Sequence, residues 1–233
     1  TYAELDILYK RIMLKDTAIY TFGAFCETVL TQPIDVIRTR FINRTPLWRG
    51  YRGIMSGITF QFMGLVPNRI VFLGGKDLSK QSKLHWAIYS PIVSLAQTIV
   101  ETPFINWKTA RIEGLPIRYR PYGFFPLYIR NTIFATSLFG SKEELSEYNS
   151  MISTIVGVSA GVILSQPFDV IRNEKQSINR DKSIQYILNN LQKISKRDGF
   201  VNVFWRGCSW RLAASYVGIT TVIESTKFLK SFM

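Results

Sequence analysis

Two apolar stretches of this chain end in nearly the same ten residues, and each copy sets an acid and a base just after a proline. The first copy, TQPIDVIRTR, runs from Thr31 to Arg40, and the second, SQPFDVIRNE, runs from Ser165 to Glu174. A proline inside a helix costs about 3 kcal/mol or more, and charges in an apolar setting need partners. The chemistry these residues offer is therefore the making and breaking of buried ion pairs.

A third, damaged copy lies between these two. ETPFINWK, from Glu101 to Lys108, keeps the proline and the base, but Ile105 stands where the other copies have an aspartate. Three copies of one pattern indicate an internal repeat. The motif residues are Pro33, Asp35, Arg38, Pro103, Lys108, Pro167, Asp169 and Arg172.

The elements that position these motifs are apolar stretches of membrane-spanning length. The chain has 233 residues, of which 47% are hydrophobic, and its apolar residues gather into stretches of about 20 residues, enough to cross a bilayer. We predict six such helices, and each odd-numbered one carries a motif. Their approximate ranges are 16–38, 54–75, 85–108, 122–140, 150–172 and 208–228.

The repeats divide a single domain, residues 1–233, into three helix pairs: repeat 1 over 1–80, repeat 2 over 81–146 and repeat 3 over 147–233. An aromatic-basic-glycine landmark follows each motif, as in WRGYRG of repeat 1 and FWRG of repeat 3. In repeat 3, apolar residues recur at helical spacing between Ile184 and Ile194, which predicts a short amphipathic surface helix. The same interval in repeats 1 and 2 is about half as long and contains prolines.

The charge distribution favours a membrane protein over a nucleic-acid-binding protein. The formal net charge is +13, and 17 of the 29 Lys and Arg residues lie in the segments that follow the odd helices, 38–53, 105–122 and 172–206. This asymmetry follows the positive-inside pattern and suits anionic lipid head groups. No HExxH, GxxxxGK[ST] or metal-ligand cluster is present in the sequence. We expect no catalytic residue, no metal and no cofactor.

A thrice-repeated proline, acid and base, followed by an aromatic-basic-glycine landmark, resembles the mitochondrial carrier family over nearly the whole chain. The resemblance implies an all-α membrane protein with six transmembrane helices in three pairs around a three-fold axis. It also implies a multi-pass protein of the mitochondrial inner membrane. In that family the motif charges form a ring of ion pairs, a gate on the matrix side that opens when substrate passes.

The resemblance also locates substrate contacts, in the middle of the even helices. It places Arg130 and Asn131 at the second contact point and Ala214 at the third. The first is Gly64 if the repeats are aligned on Pro67, which we prefer, or Phe60 if they are aligned on YRG. An Arg followed by Asn resembles carriers of small carboxylates or keto acids. Alternatively, Arg130 pairs with an acid or a carbonyl within the bundle.

The preferred alignment brings Asp77 and Lys80 onto the family's cytoplasmic-side acid and base, as the remnant of a second gate. The equivalent positions of repeats 2 and 3 have lost that pattern, and the motif ring has two acids against three bases. Both gates are thus incomplete. We therefore expect a degenerate carrier-fold protein that serves as an accessory subunit, with other mitochondrial membrane proteins and cardiolipin-like lipids as partners. The alternative is an active carrier for a small carboxylate; a nucleic-acid partner is not expected.

Overall fold

The computed structural model describes residues 2–46, 53–82, 85–118, 121–145, 150–177 and 179–230. Within these ranges, the side chains of 2–20, 72–82, 150, 223, 226, 227, 229 and 230 lie outside the description. The described residues contain helices and no strand. In chain order the helices are α1 (Tyr2–Asn43), α2 (Ile58–Ser82), α3 (Trp86–Glu113), α4 (Phe124–Glu144), α5 (Ser150–Gln176), α6 (Ile184–Asp198), α7 (Phe200–Phe204) and α8 (Cys208–Lys230).

Six of these helices form a closed ring. The contacts run in order from α1 through α2, α3, α4 and α5 to α8, and α8 packs back on α1. The three helices that carry the motifs, α1, α3 and α5, also contact one another directly. The motif charges of all three repeats are thereby brought to one place inside the ring.

The prolines lie within continuous helices and do not end them. Pro33, Pro103 and Pro167 are each followed by a further nine or ten helical residues, to Asn43, Glu113 and Gln176. The odd helices are therefore longer than the sequence-based boundaries, which ended at the motif base. This extra length carries the motif charges on helical backbone, where residues three apart share a face.

The polarity of the ring is inverted relative to a water-soluble bundle. On α3, Ser90, Ser94 and Thr98 are fully buried, whereas Ile92 and Ile99 are about 60% exposed. The hydroxyls of Ser90 and Thr98 donate to the carbonyls one helical turn earlier, at 2.7 and 2.6 Å, so burial leaves these donors satisfied. Polar groups face inward and apolar groups face outward, as a lipid environment requires.

Hydropathy alone singles out one helix as a candidate membrane span among the residues that the structure describes. It is Met151–Gln176, with a mean hydropathy of 1.5. Six helices of 21 residues or more are present among the described residues, but six membrane spans remain a prediction. The reason for the lower hydropathy is visible on α1, where Glu27, Asp35 and Arg38 lower the average although their side chains turn into the ring.

A glycine with positive φ precedes each even helix. Gly57, Gly123 and Gly207 have φ values of 82°, 71° and 76°, in the left-handed region that suits glycine. The sequence landmark of repeat 1 was assigned to WRGYRG, ending at Gly53, yet Gly57 is the residue that corresponds to Gly123 and Gly207. The three glycines therefore set a common register for α2, α4 and α8.

The predicted surface helix of repeat 3 is present as α6. Ser183 caps it by accepting a hydrogen bond from the Tyr186 backbone N–H at 3.1 Å, which is typical of a helix start. Ile187 and Leu191 are buried against the ends of α1 and α5. In repeat 2, Gly114 ends α3 and the chain reaches α4 at Phe124, so no comparable helix occupies the described part of that interval.

Candidate functional site

The ring encloses a cavity of about 280 Å³. Its described lining contains six basic side chains and three acidic ones. The carboxylate of Asp169 lies behind this lining and contacts three of the bases, so two positive charges remain in excess. The charged lining residues are Arg38, Arg69, Lys108, Arg130, Arg172, Arg211, Glu27, Asp35 and Glu101.

One inter-repeat ion pair joins repeats 1 and 2 at the motif end of the cavity. The Lys108 ammonium lies 2.9 Å from the Asp35 carboxylate. Gln61 of α2 donates to the same carboxylate at 3.1 Å and accepts from Lys108. The pair is therefore held by a third, neutral side chain, which satisfies the lone pairs and protons that burial would otherwise leave open.

A second cluster surrounds Asp169, whose side chain is fully buried. Arg38 of repeat 1 donates to one carboxylate oxygen, and Arg172, three residues further along α5, lies 3.0 Å from the other. Arg130 of α4 also approaches that second oxygen, at 3.4 Å. One carboxylate thus contacts an arginine from each of the three repeats.

Arg172 lacks a motif carboxylate from the neighbouring repeat. Ile105 lines the cavity at the position equivalent to Asp35 and Asp169, so repeat 2 offers Arg172 no motif carboxylate. The ion-pair partner of Arg172 among the described residues is Asp169 of its own helix. The motif ring is therefore linked from repeat 1 to 2 and from repeat 3 to 1, but not from repeat 2 to 3.

The four residues assigned to substrate contacts all line the cavity: Gly64, Arg130, Asn131 and Ala214. Gly64, Arg130 and Ala214 each stand seven residues after the glycine that opens their helix. This shared register favours the Gly64 alignment, although Phe60 lines the cavity as well. Gly64 also has a packing role, because a Cβ there would meet the Phe104 Cβ at 2.7 Å.

Arg130 is held by an acid and an amide of its own repeat. Its Nη2 lies 3.4 Å from the Glu101 carboxylate and donates to Asn131 Oδ1 at 2.6 Å. Asn131 in turn donates to Glu101 at 3.1 Å. Arg130 therefore pairs within the bundle, as one sequence-based alternative held, and at the same time faces the cavity, as the other required.

A further ion pair, between a half-buried arginine and a buried glutamate, was not predicted from the sequence. Arg69 of α2 donates to both oxygens of Glu27 on α1, from Nε at 3.1 Å. Glu27 also packs against Gly218 of α8, where a Cβ would meet Glu27 Oε1 at 2.8 Å. The available signal was the presence of ionisable residues inside apolar helices, which indicates an inward-facing site.

Arg211 of α8 is the second residue that the sequence analysis left unassigned. It is buried, lines the cavity, and donates to Ser165 Oγ at 2.8 Å and to Gln166 Oε1 at 3.3 Å. No carboxylate of the described residues forms an ion pair with it. An arginine bonded only to neutral groups keeps its positive potential available to an anion in the cavity.

The side chains of Asp77 and Lys80, which the resemblance assigned to the remnant of a second gate, lie outside the described residues, although α2 itself extends to Ser82. Among the described residues, no cluster of His, Cys, Asp and Glu could hold a metal ion. The described residues can therefore act electrostatically. They form a positively charged cavity whose motif end is closed by carboxylate–cation contacts.

Comparison with known proteins gives a match in the last two-fifths of the chain. Residues 143–231 match the family model described as mitochondrial carrier protein. A search of curated proteins gave no match. The matched segment begins at the end of α4 and includes the α5 motif, the surface helix α6 and all of α8. The resemblance to the mitochondrial carrier family is thereby confirmed over residues 143–231.

Proposed function

We propose that this chain is a membrane carrier for a small anionic solute, with carboxylates as the expected substrate class. The observation that carries the proposal is the cavity with two positive charges in excess, in which Arg130 and Arg211 face the same space. A guanidinium holds a carboxylate with two parallel hydrogen bonds. A role as a packing subunit alone would give no reason to keep uncompensated charge inside an apolar ring.

The motif end supplies the moving part of this proposal. The contacts Lys108–Asp35 and Arg38–Asp169 join different repeats, so separating the odd helices would break both. A carrier needs a closure that forms in one state and breaks in the other. The expected cycle closes this end while the cavity is loaded from the other side, and then opens it.

The proposal includes a membrane arrangement that the same features support. We expect the six ring helices to span the mitochondrial inner membrane in three pairs around a common axis, with the motif ends on the matrix side. The closed ring, its apolar outer face and the basic segments after the odd helices support this arrangement. Anionic lipid head groups are the expected partners of those basic segments.

Reconstitution tests the transport function. Purified full-length protein in liposomes should exchange one or more members of a panel of small carboxylates saturably. Arg130→Ala should abolish exchange, and Arg130→Lys should be partly tolerated because Lys keeps the charge but loses the planar fork. Lys193→Ala, which removes an exposed positive charge on α6, is the matched control and should leave exchange unchanged. Absence of saturable exchange of any panel member would overturn the proposal.

One observation favours a second candidate, an accessory subunit of a larger membrane assembly. The missing carboxylate at Ile105 leaves the motif ring open between repeats 2 and 3, which weakens one closed state. In that case the shortened segments 41–52 and 111–121 would be the expected contacts with neighbouring subunits. Native purification distinguishes the two, because an accessory subunit should co-migrate with a large assembly and show no exchange.

A further inference from the structure

We propose that Arg130 supplies, through Asp169, the link between repeats 2 and 3 that Ile105 removes from the motif ring, and that an anion in the cavity loosens this link. The first half stands on the contacts alone. The second half rests on the proposed carrier function. Arg130 is thereby a positioning residue of the closure as well as a residue of the cavity.

Three links are needed to hold three repeats together at the motif end. Asp35 and Lys108 join repeats 1 and 2, and Asp169 and Arg38 join repeats 3 and 1. The third link would need an acid at position 105 facing Arg172, and isoleucine offers none. Without a substitute, no motif ion pair would join repeats 2 and 3, and the hydrogen bond from Gln176 to the Tyr122 carbonyl lies two helical turns beyond Asp169.

The contact between Arg130 Nη1 and Asp169 Oδ1, at 3.4 Å, joins the same two repeats by another route. It runs from the even helix α4 to the motif of α5 in place of a contact between two odd helices. Asp169 is fully buried and Arg130 is about 15% exposed, so water screens the contact little. The missing acid is thus compensated by a base that reaches the acid of the next repeat.

This substitution connects the cavity to the closure. The other nitrogen atoms of the Arg130 guanidinium are held by Asn131 and Glu101, and the Nη1 edge faces Asp169. A carboxylate that docks on Arg130 competes with Asp169 for this cation, and its negative charge repels Asp169. Bound anion therefore has different interaction energies in the closed and open states, which is the condition for coupling.

Arg69 provides an internal control for this argument. It lies on the even helix of repeat 1, lines the same cavity and pairs with a buried carboxylate, Glu27. Its described ion pair and hydrogen bonds go to Glu27 alone, and none reaches a motif residue. Removing Arg69 should therefore disturb that pair without touching the link between repeats 2 and 3.

A thermal double-mutant cycle tests the link in the full-length protein in detergent. Arg130→Gln and Asp169→Asn should each lower the unfolding temperature by at least about 5 °C. The double variant should lose clearly fewer degrees of unfolding temperature than the sum of the two single losses, because both substitutions break the same contact. Arg69→Gln combined with Asp169→Asn should be additive. Additive effects in the Arg130 cycle, or an equal shortfall in the Arg69 cycle, would overturn the inference.

A second, independent experiment restores the motif acid and so does not depend on a destabilising substitution. Ile105→Asp should create the missing pair with Arg172 and raise the unfolding temperature. In that background Arg130→Gln should cost at most half as many degrees as in the parent chain, because the link no longer depends on it. An undiminished cost would contradict the substitution of Arg130 for the motif acid.

The anion arm uses malonate at constant ionic strength, with chloride as the reference. In the parent chain malonate should shift the unfolding temperature. In the Arg130 and Asp169 cycle, it should reduce the shortfall, which is the difference between the sum of the two single losses of unfolding temperature and the loss in the double variant. If malonate leaves this shortfall unchanged, anion binding in the cavity does not loosen the Arg130–Asp169 contact, and that half of the proposal is overturned. Failure of the carrier function is distinguishable, because liposomes would then show no exchange although the shortfall measured without malonate persists.

Discussion

The Asp169 carboxylate lies 3.4 Å from the Arg130 guanidinium, and this contact joins a motif residue to a cavity residue. The same carboxylate receives Arg38 and Arg172, so repeats 1, 2 and 3 meet on one buried acid. A three-fold ring would distribute these contacts over three acids. Here the three motifs contain only two acids, and Asp169 contacts three arginines, one from each repeat.

The pair of Asp35 and Lys108 allows a charge-reversal test of the closure. Asp35→Lys or Lys108→Asp alone places like charges 3 Å apart inside the ring, which should abolish exchange in liposomes and lower the unfolding temperature. The double variant, Asp35→Lys with Lys108→Asp, restores opposite charges and should recover part of both quantities. Recovery should be incomplete, because Gln61 is oriented for the native direction of the pair.

Arg44 and Asp198 supply the control for this reversal. They form a 3.0 Å ion pair between the end of α1 and the end of α6, but both side chains are at least one-third exposed. Exposed pairs contribute little to stability because water and salt screen them. Single reversals at this pair should therefore leave exchange intact. If they were as harmful as reversals at Asp35, the motif pair would have no special role in closure.

The repeated pattern made much of the fold predictable. Proline, acid and base at fixed spacing located the motif residues, and helical periodicity located α6, because both signals are local in the sequence. The family match over residues 143–231 confirms the resemblance drawn from those residues. The glycine that opens α2 is Gly57, four residues after the end of WRGYRG, because its positive φ reflects how the chain enters α2 and not an aromatic-basic composition.

The cavity was only partly predictable for a physical reason. Gly64, Arg130, Asn131 and Ala214 follow from one register applied to the even helices. The Glu27 and Arg69 pair has no counterpart in the other repeats, so repeat symmetry could not reveal it. The contact of Arg130 with Asp169 depends on the loss of an acid in a different helix, and sequence spacing does not encode such compensation.

Substitutions at Arg211 and at the Glu27–Arg69 pair test whether the net charge of the cavity sets its affinity for anions. Arg211→Gln removes one of the two excess positive charges, so the KM for a carboxylate should rise about tenfold, as expected for the loss of one charge-assisted contact of about 1.5 kcal/mol. The double variant Glu27→Gln with Arg69→Gln removes one charge of each sign and keeps the excess at two. Its KM should change by less than about threefold. A similar rise in both variants would show that cavity charge does not control affinity.

Gly23 and Gly157 occupy equivalent positions ten residues before Pro33 and Pro167, yet the same substitution should have opposite effects on them. A Cβ on Gly157 would lie 3.0 Å from the backbone of Leu138 and Ser137 on α4, which cannot move aside without separating two helices. Gly157→Ala should therefore destabilise by about 1–3 kcal/mol, or roughly 3–10 °C in unfolding temperature for a chain of this size.

At Gly23, the nearest atom to an added Cβ is Ser225 Oγ on α8, at 3.4 Å, which is ordinary van der Waals contact. Alanine there should leave the packing of α1 on α8 intact and stabilise the helix by about 0.5–1 kcal/mol, because glycine loses more backbone freedom on folding. Gly23→Ala should thus raise the unfolding temperature in detergent while Gly157→Ala lowers it. Equal shifts of the same sign would mean that the close approach of α4 and α5 at Gly157 is not a constraint on the fold.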